Sequence, residues 1–424
     1  MKIRSALLSA VLGTACACFP NLAEAQTGAA PVITSQLVSS TVPAGTTVVL
    51  SATVTGSQPL NYEWLLNGSV LAVSAELDSG TVPSGSTSDA VISLPLDDVG
   101  PLSAGIYTLI VSNSFGSVTS NPATLVVTTD AYLTNFSARA QVSANNPLVV
   151  GLMVRNLVPP SPGDDAPNVW FKQLLFRGIG PGLATTFNVP EALGSTQLTL
   201  SGGTGPLVTN AGWTMGLLGG TAIPAQAATA ASMSAVGAFP LLPGSADSAF
   251  AAAVPAGAYT TQTAGVNGEA GIALSEVYVA DTPISGGALV TQLANASARA
   301  QVGVGNSIFI GGFVVGGTTA ESLLIRAVGP GLGSFGLTGV LPNPQLTICD
   351  ASGKPVPFSV NGGGWSGSAS FFAAVSAQVG AFPLADGSRD AALVITLPPG
   401  AYTAEVSDQK GATGLALLEF YDVR

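Results

Sequence analysis

Residues 174–183 (LLFRGIGPGL) and 323–332 (LLIRAVGPGL) state one phrase twice: an apolar run of strand length, a single arginine, then a Gly-Pro-Gly break. The phrase belongs to a longer duplication, which limits the folds open to the chain more than any other feature. Residues 137–142 (SARAQV) recur identically at 297–302, and 236–240 (VGAFP) at 379–383. Gln197-Leu198-Thr199 returns as Gln345-Leu346-Thr347, and a tryptophan follows in each copy, Trp213 or Trp365. Asp247 pairs with Asp390, Tyr259 with Tyr402 and Glu276 with Glu419. A unit of about 140 residues is too long for a solenoid repeat, so each copy, 131–281 and 291–424, is expected to be a domain with its own core.

Most of each copy reads as short strands between Gly, Pro, Asn and Asp turns. An alanine-rich stretch before Val236 or Val379 is expected to form a short helix stopped at Gly237 or Gly380, since glycine tolerates the left-handed cap position. The Gly-Pro-Gly segments read as turns. They lack the lysine of a phosphate-binding loop, and no helix is expected after them.

Ahead of the duplication, residues 31–128 alternate apolar and polar positions as half-buried strands do. Trp64 follows Ala52, and Gly105-Ile106-Tyr107-Thr108-Leu109 places Tyr107, Leu109 and Val111 on one face. This module resembles an immunoglobulin-like domain of the bacterial surface type. Trp64 matches its core tryptophan and Tyr107 its tyrosine-corner residue, while Ala52 and Leu109 stand where antibody domains carry the bridging cysteines. The two copies resemble β-rich repeats found behind such domains in large exported proteins of environmental bacteria. Their ending is similar to pre-peptidase C-terminal domains, which are jelly-roll-like sandwiches. The resemblances imply an all-β chain: one immunoglobulin-like β-sandwich, then two tandem jelly-roll-like β-sandwich repeats. Neither implies a catalytic residue.

Lys2 and Arg4, the short apolar run 6–19 and Ala23-Glu24-Ala25 have the order of a secretory signal peptide, with cleavage expected near Ala25-Gln26. Without residues 1–25 the chain carries 10 basic and 22 acidic residues, a balance that disfavours nucleic acid and anionic membrane surfaces. Cys349 is then the one remaining cysteine, which excludes an intramolecular disulfide; it is expected to be buried in a strand. No later run is long and apolar enough for a transmembrane helix.

The chain has no histidine, which removes His-ligated zinc and Ser-His-Asp or Cys-His catalysis. Only 8% of residues are charged, so those kept in both copies stand out: Arg139/Arg299, Arg177/Arg326, Asp247/Asp390 and Glu276/Glu419. They read either as partly buried arginine–carboxylate pairs or as ligand sites with Arg177 and Arg326 at strand ends. Trp213 and Trp365 read either as core or as exposed platforms for sugars. Residues 163–168 (GDDAPN) offer oxygen ligands for Ca²⁺ without EF-hand spacing; no other cofactor is expected. The expectation is an exported, non-enzymatic protein for surface interaction or adhesion, with polysaccharide or a surface protein as partner. A carbohydrate-binding array and a structural envelope or filament component are the alternatives.

Overall fold

A computed structural model describes residues 28–71, 79–82, 89–157, 171–218, 223–281, 291–357, 364, 365 and 367–424. The leader with Cys16 and Cys18 and the candidate calcium loop 163–168 lie outside them.

The first module is built from β1 (Val32–Ser35), β2 (Ser40–Pro43), β3 (Val48–Thr55), β4 (Leu60–Leu66), β5 (Ser69–Val70), β6 (Ser79–Val82), β7 (Ala90–Leu96), β8 (Gly105–Asn113), β9 (Gly116–Thr119) and β10 (Ala123–Thr128). They form two sheets, β1-β3-β7 and β2-β10-β8-β4-β5, with β6 on β4 and β9 on β8. The alternating residues Leu50, Ala52 and Val54 of β3 face Trp64, Leu109 and Val111 across one buried cluster. Apolar packing at Ala52 and Leu109 thus replaces the interlayer bridge. The Tyr107 hydroxyl donates to the Ser103 carbonyl at 2.7 Å, closing the expected tyrosine corner.

The first copy contributes β11 (Tyr132–Val142), β12 (Leu148–Asn156), β13 (Phe171–Ile179), β14 (Thr196–Gly202), β15 (Gly205–Asn210), β16 (Ala225–Ala227), β17 (Ser248–Pro255), β18 (Gly257–Gly265) and β19 (Gly271–Val279). The second contributes β20 (Thr291–Val302), β21 (Phe309–Gly316), β22 (Glu321–Val328), β23 (Pro344–Asp350), β24 (Ala391–Leu397), β25 (Gly400–Asp408) and β26 (Gly414–Asp422). Short helices α1 (Pro181–Phe187), α2 (Ala230–Ala235) and α3 (Ala369–Val379) cover the outer faces of the sheets. As the alanine-rich runs predict, α2 ends before Gly237 (φ +72°) and α3 is capped by Gly380 in the left-handed region.

The copies do not keep separate cores. In each, a tight turn follows the SARAQV strand, but the two arms of the hairpin splay into opposite layers. Ser143 and Asn146 exchange backbone hydrogen bonds at 3.1 and 3.0 Å, after which β11 pairs with β21 of the other copy and β12 with β20. One layer therefore runs β16-β17-β13-β19-β11-β21-β25-β23, and the other β24-β22-β26-β20-β12-β18-β14-β15. The layers touch through one bridge, Gln141 to Gln301, at equivalent positions of the two copies. A single buried cluster spans both, with Phe136 of the first copy edge-on to Phe420 of the second at 5.4 Å. The physical reason is the edge: a copy alone would expose one side each of two long strands, and the exchange covers all four.

A polar network ties the corner where the copies meet. Asp422 accepts from Arg155 of the first copy at 2.5 Å, from Arg424 at 3.0 Å and from Gln292. Arg424 also reaches Glu321 at 3.0 Å and donates to the carbonyl of Ala131, the residue before β11. Buried Lys172 donates to Thr291 O at 2.9 Å and pairs with Asp281 at 2.6 Å.

The first module sits on the second copy, although the chain leaves it into the first. One Asp130 oxygen accepts from the amides of Thr318 and Thr319 and the Thr319 hydroxyl, and the other from the Thr318 hydroxyl, at 2.8 to 2.9 Å. These donors, the Thr318 amide foremost, hold its carboxyl well below the usual carboxylate range. The Ala320 amide donates to Ala44 O at 3.2 Å, and Leu102 packs against the cluster around Phe372 and Val375.

Candidate functional site

Three of the four repeated charges, the arginine of β13 or β22 with its glutamate and aspartate, assemble in both copies on the outer faces of those strands. Leu174 and Phe176 point into the shared core, while Leu175 and Ile179 face the layer of α1 and α2, so the run is buried on both sides. Arg177 takes that outer direction and Arg326 its equivalent; neither side chain is exposed at all. The register places each opposite the glutamate of the closing strand, Arg177 with Glu276 and Arg326 with Glu419. Arg177 Nε lies 3.1 Å from Glu276 Oε2. Arg326 Nε and Nη2 both donate to Glu419 Oε2, at 2.9 and 2.5 Å. The Nη1 groups donate to the carbonyls of Phe239 and Phe382, whose rings lie 4.2 and 4.3 Å under the guanidinium carbons. Tyr278 and Tyr421 donate to the second glutamate oxygens at 2.8 and 2.7 Å. Burial pushes the Glu276 carboxyl up and the Arg177 guanidinium opposes that shift, while burial and Glu276 push the Tyr278 hydroxyl up.

The copies differ in how the pair is bonded. Among the described residues Arg177 Nε and Nη2 and Glu276 Oε2 are buried and make no hydrogen bond, so that pair is held by charge alone, whereas the Arg326 guanidinium bonds through Nε, Nη1 and Nη2.

The repeated aspartates serve the Gly-Pro-Gly segments. Asp247 accepts from Gly180 N at 2.8 Å and Gly182 N at 3.1 Å; Asp390 accepts from Gly329 N at 2.7 Å and Gly331 N at 3.1 Å. Each segment opens a helical turn, α1 in the first copy and a 3₁₀ turn, Pro330–Phe335, in the second. This corrects the expectation that no helix follows. The amides that a phosphate loop would offer an anion are already taken by an internal carboxylate. Glycine is required by close approach: a Cβ at Gly331 would come 2.8 Å from Asp390 Oδ2, and one at Gly329 2.1 Å from Leu341 O.

Trp213 is 7% exposed, and its indole donates to Leu242 O at 3.0 Å. Of the two readings open to it, Trp213 takes the core one. Trp365 is half-buried, donates to Asp390 O at 3.1 Å and lies edge-on to Phe372 at 5.7 Å. A small recess lined by Trp365, Phe372, Ser376 and Leu384 reaches Arg326, whose charge Glu419 already balances. Arg139 is half-buried and Arg299 exposed, both on the solvent side of the exchanged strands. The arrangement balances charge and fixes strand ends. Cys349 is buried in β23, and no helix of the described residues is long and apolar enough to cross a membrane.

Two features escaped the sequence reading. Tyr259 and Tyr402 donate to the carbonyls four residues back, Pro255 and Pro398, at 3.0 and 2.9 Å, so all three modules carry a tyrosine corner. The signal was present as Gly-x-Tyr in each. Phe187 and Phe335 are more than half exposed, yet each lies edge-on at 5.0 Å to the phenylalanine under the arginine. One ends an α-helix and the other a shorter 3₁₀ turn, so alignment of the copies hid the match.

A family model described as immunoglobulin domain matches residues 30–113. Palladin of Homo sapiens is 34% identical over 118 residues, 27% of this chain, and the chain spans 8% of palladin's length. Among solved structures, a chimeric titin Z1Z2 carrying a KLER peptide from decorin is 26% identical, with a TM-score of 0.21, 24% of this chain covered and 98% of that chain. Titin M4 is 25% identical with a TM-score of 0.21, covering 24% of this chain and 99% of that one. The tandem Ig repeats of Dlar are 23% identical with a TM-score of 0.19, covering 23% of this chain and 48% of that one. The family match over residues 30–113, the two-sheet fold around Trp64 and the corner at Tyr107 agree that an immunoglobulin-like domain is present in this chain.

Proposed function

We propose that this chain is an exported, non-enzymatic interaction protein, in which the clasped pair of repeats is a rigid base that holds the immunoglobulin domain out for a surface-protein partner. The observation that carries the reading is the seating of that domain. Asp130, Ala44 and Leu102 fasten it to the second copy, where a free linker would let it swing. Immunoglobulin domains commonly serve protein interaction, and the sheet β1-β3-β7 turns an uncharged face outward. Val49 and Val91 are 58% and 66% exposed there, beside Ser51 and Ser93. Arg177 and Arg326 are charge-paired with Glu276 and Glu419, and Asp247 and Asp390 accept from the Gly-Pro-Gly amides, so these buried charges are balanced within each copy. Export rests on the leader at residues 1–25.

The test is retention of the chain on immobilised envelope proteins and, in parallel, on polysaccharides. Protein retention abolished by Val49→Asp with Val91→Asp, at unchanged melting temperature, is the expected outcome. Retention by a glycan that ignores both substitutions, or hydrolytic turnover by the purified chain, would overturn the reading.

A further inference from the structure

The two ladders that join the copies are equivalent position by position. In one, Ser137 faces Gly312 and Arg139 faces Ile310; in the other, Ser297 faces Gly151 and Arg299 faces Val149. Each ladder carries a register shift at the same place, beside Thr134 in β11 and beside Ala294 in β20. Each uses a glycine where the facing serine leaves no room. A Cβ at Gly312 would come 2.5 Å from Ser137 Oγ, and one at Gly151 2.7 Å from Ser297 Oγ. Gln141 and Gln301 then meet on the axis that relates the halves. The surface so formed is self-complementary in the manner of a twofold dimer, although one chain supplies both sides.

From this we infer that each splayed hairpin, 132–156 or 291–316, is a recognition element for the other, and that a second copy of this chain is a further partner of the protein, docking by reciprocal exchange of hairpins. Nothing in the ladders distinguishes a hairpin of the same chain from one of its neighbour. Only tethering through the segment between Asp281 and Thr291 favours closure within the chain, with an effective concentration of about 1 mM for a short link. Dilute chains close on themselves, whereas chains folding together near that concentration, or crowded on a surface, clasp one another. The docking is independent of what the immunoglobulin domain binds.

The experiment uses the full chain with Cys16, Cys18 and Cys349 replaced by serine and carrying Gln141→Cys with Gln301→Cys. It is refolded from denaturant under oxidation at about 1 μM, far below the effective value, and at about 1 mM, close to it. Expected is a 141–301 disulfide within the chain at the low concentration. At the high concentration the same bond should run between chains, with an interchain share that rises with concentration. A Val38→Cys chain, with its thiol on an exposed residue of the immunoglobulin domain, should give no comparable dimer. Intrachain bonding at every concentration, absence of the 141–301 bond in folded chains, or equal dimerisation through Val38→Cys would each overturn the proposal. If the cysteine pair prevents folding, light scattering on the unsubstituted chain decides. A dimer formed at high concentration that persists on dilution supports the proposal, and a monomer throughout refutes it.

Discussion

A chain so poor in charge places three of its four repeated pairs, Arg177/Arg326, Asp247/Asp390 and Glu276/Glu419, where water cannot reach them. Breaking a buried pair by removing one partner is costly, because the other stays behind uncompensated. Arg326→Met is therefore expected to destabilise the fold by about 3–5 kcal/mol, and Arg326→Met with Glu419→Leu by much less, in denaturant titrations. Equal losses for the single and double variants would mean that the pair holds nothing by itself. Glu321 tests the corner network. It is buried beside Asp422, and burial with that like charge raises its carboxyl well above the usual range, against the pull of Arg424. A raised carboxyl binds its proton more tightly folded than unfolded. Its contribution is then full below the unfolded value, about 4.3, and is lost as pH rises through the folded one. Melting temperature should fall as pH rises from about 4.3 toward the folded value of about 9, and Glu321→Gln should flatten that fall. These residues were legible because charges are scarce and recur. Arg177, Glu276 and Asp247 could be picked out in sequence, but the strand register that sets the first two opposite each other could not.

Elements show the same division. Gly-x-Tyr recurs in all three modules, and the structure makes each a corner with its hydroxyl bonded four residues back. Tyr402→Phe keeps the ring and removes that bond. It should cost about 0.5–1.5 kcal/mol by thermal unfolding, as should Tyr259→Phe, and no loss in either would show that the ring alone matters. The strands were readable from alternation and the helix stops from Gly237 and Gly380. Pairing was not readable, because β11 and β20 share the sequence SARAQV and every partner that satisfies one satisfies the other. Periodicity fixes which face of a strand is buried and leaves open which neighbour it has.

At the scale of the molecule, the shared core changes what a lesion does. Phe176 is fully buried in the first copy, within the cluster that runs through the second. Phe176→Ala is expected to cost about 3–5 kcal/mol and to lower the melting of both copies together, with Trp365 fluorescence following the far-ultraviolet transition. A second copy that melts at its original temperature would show two independent units. Duplication suggested two beads on a string, and the exchange makes them one body. That body also begins and finishes at one corner, where Arg424 grips the carbonyl of Ala131. A pull applied between those two points would not stretch the sheets end to end. It would load a few bonds at the corner, like a key ring tugged at its clasp, and leave some 290 residues hanging slack beside the line of force.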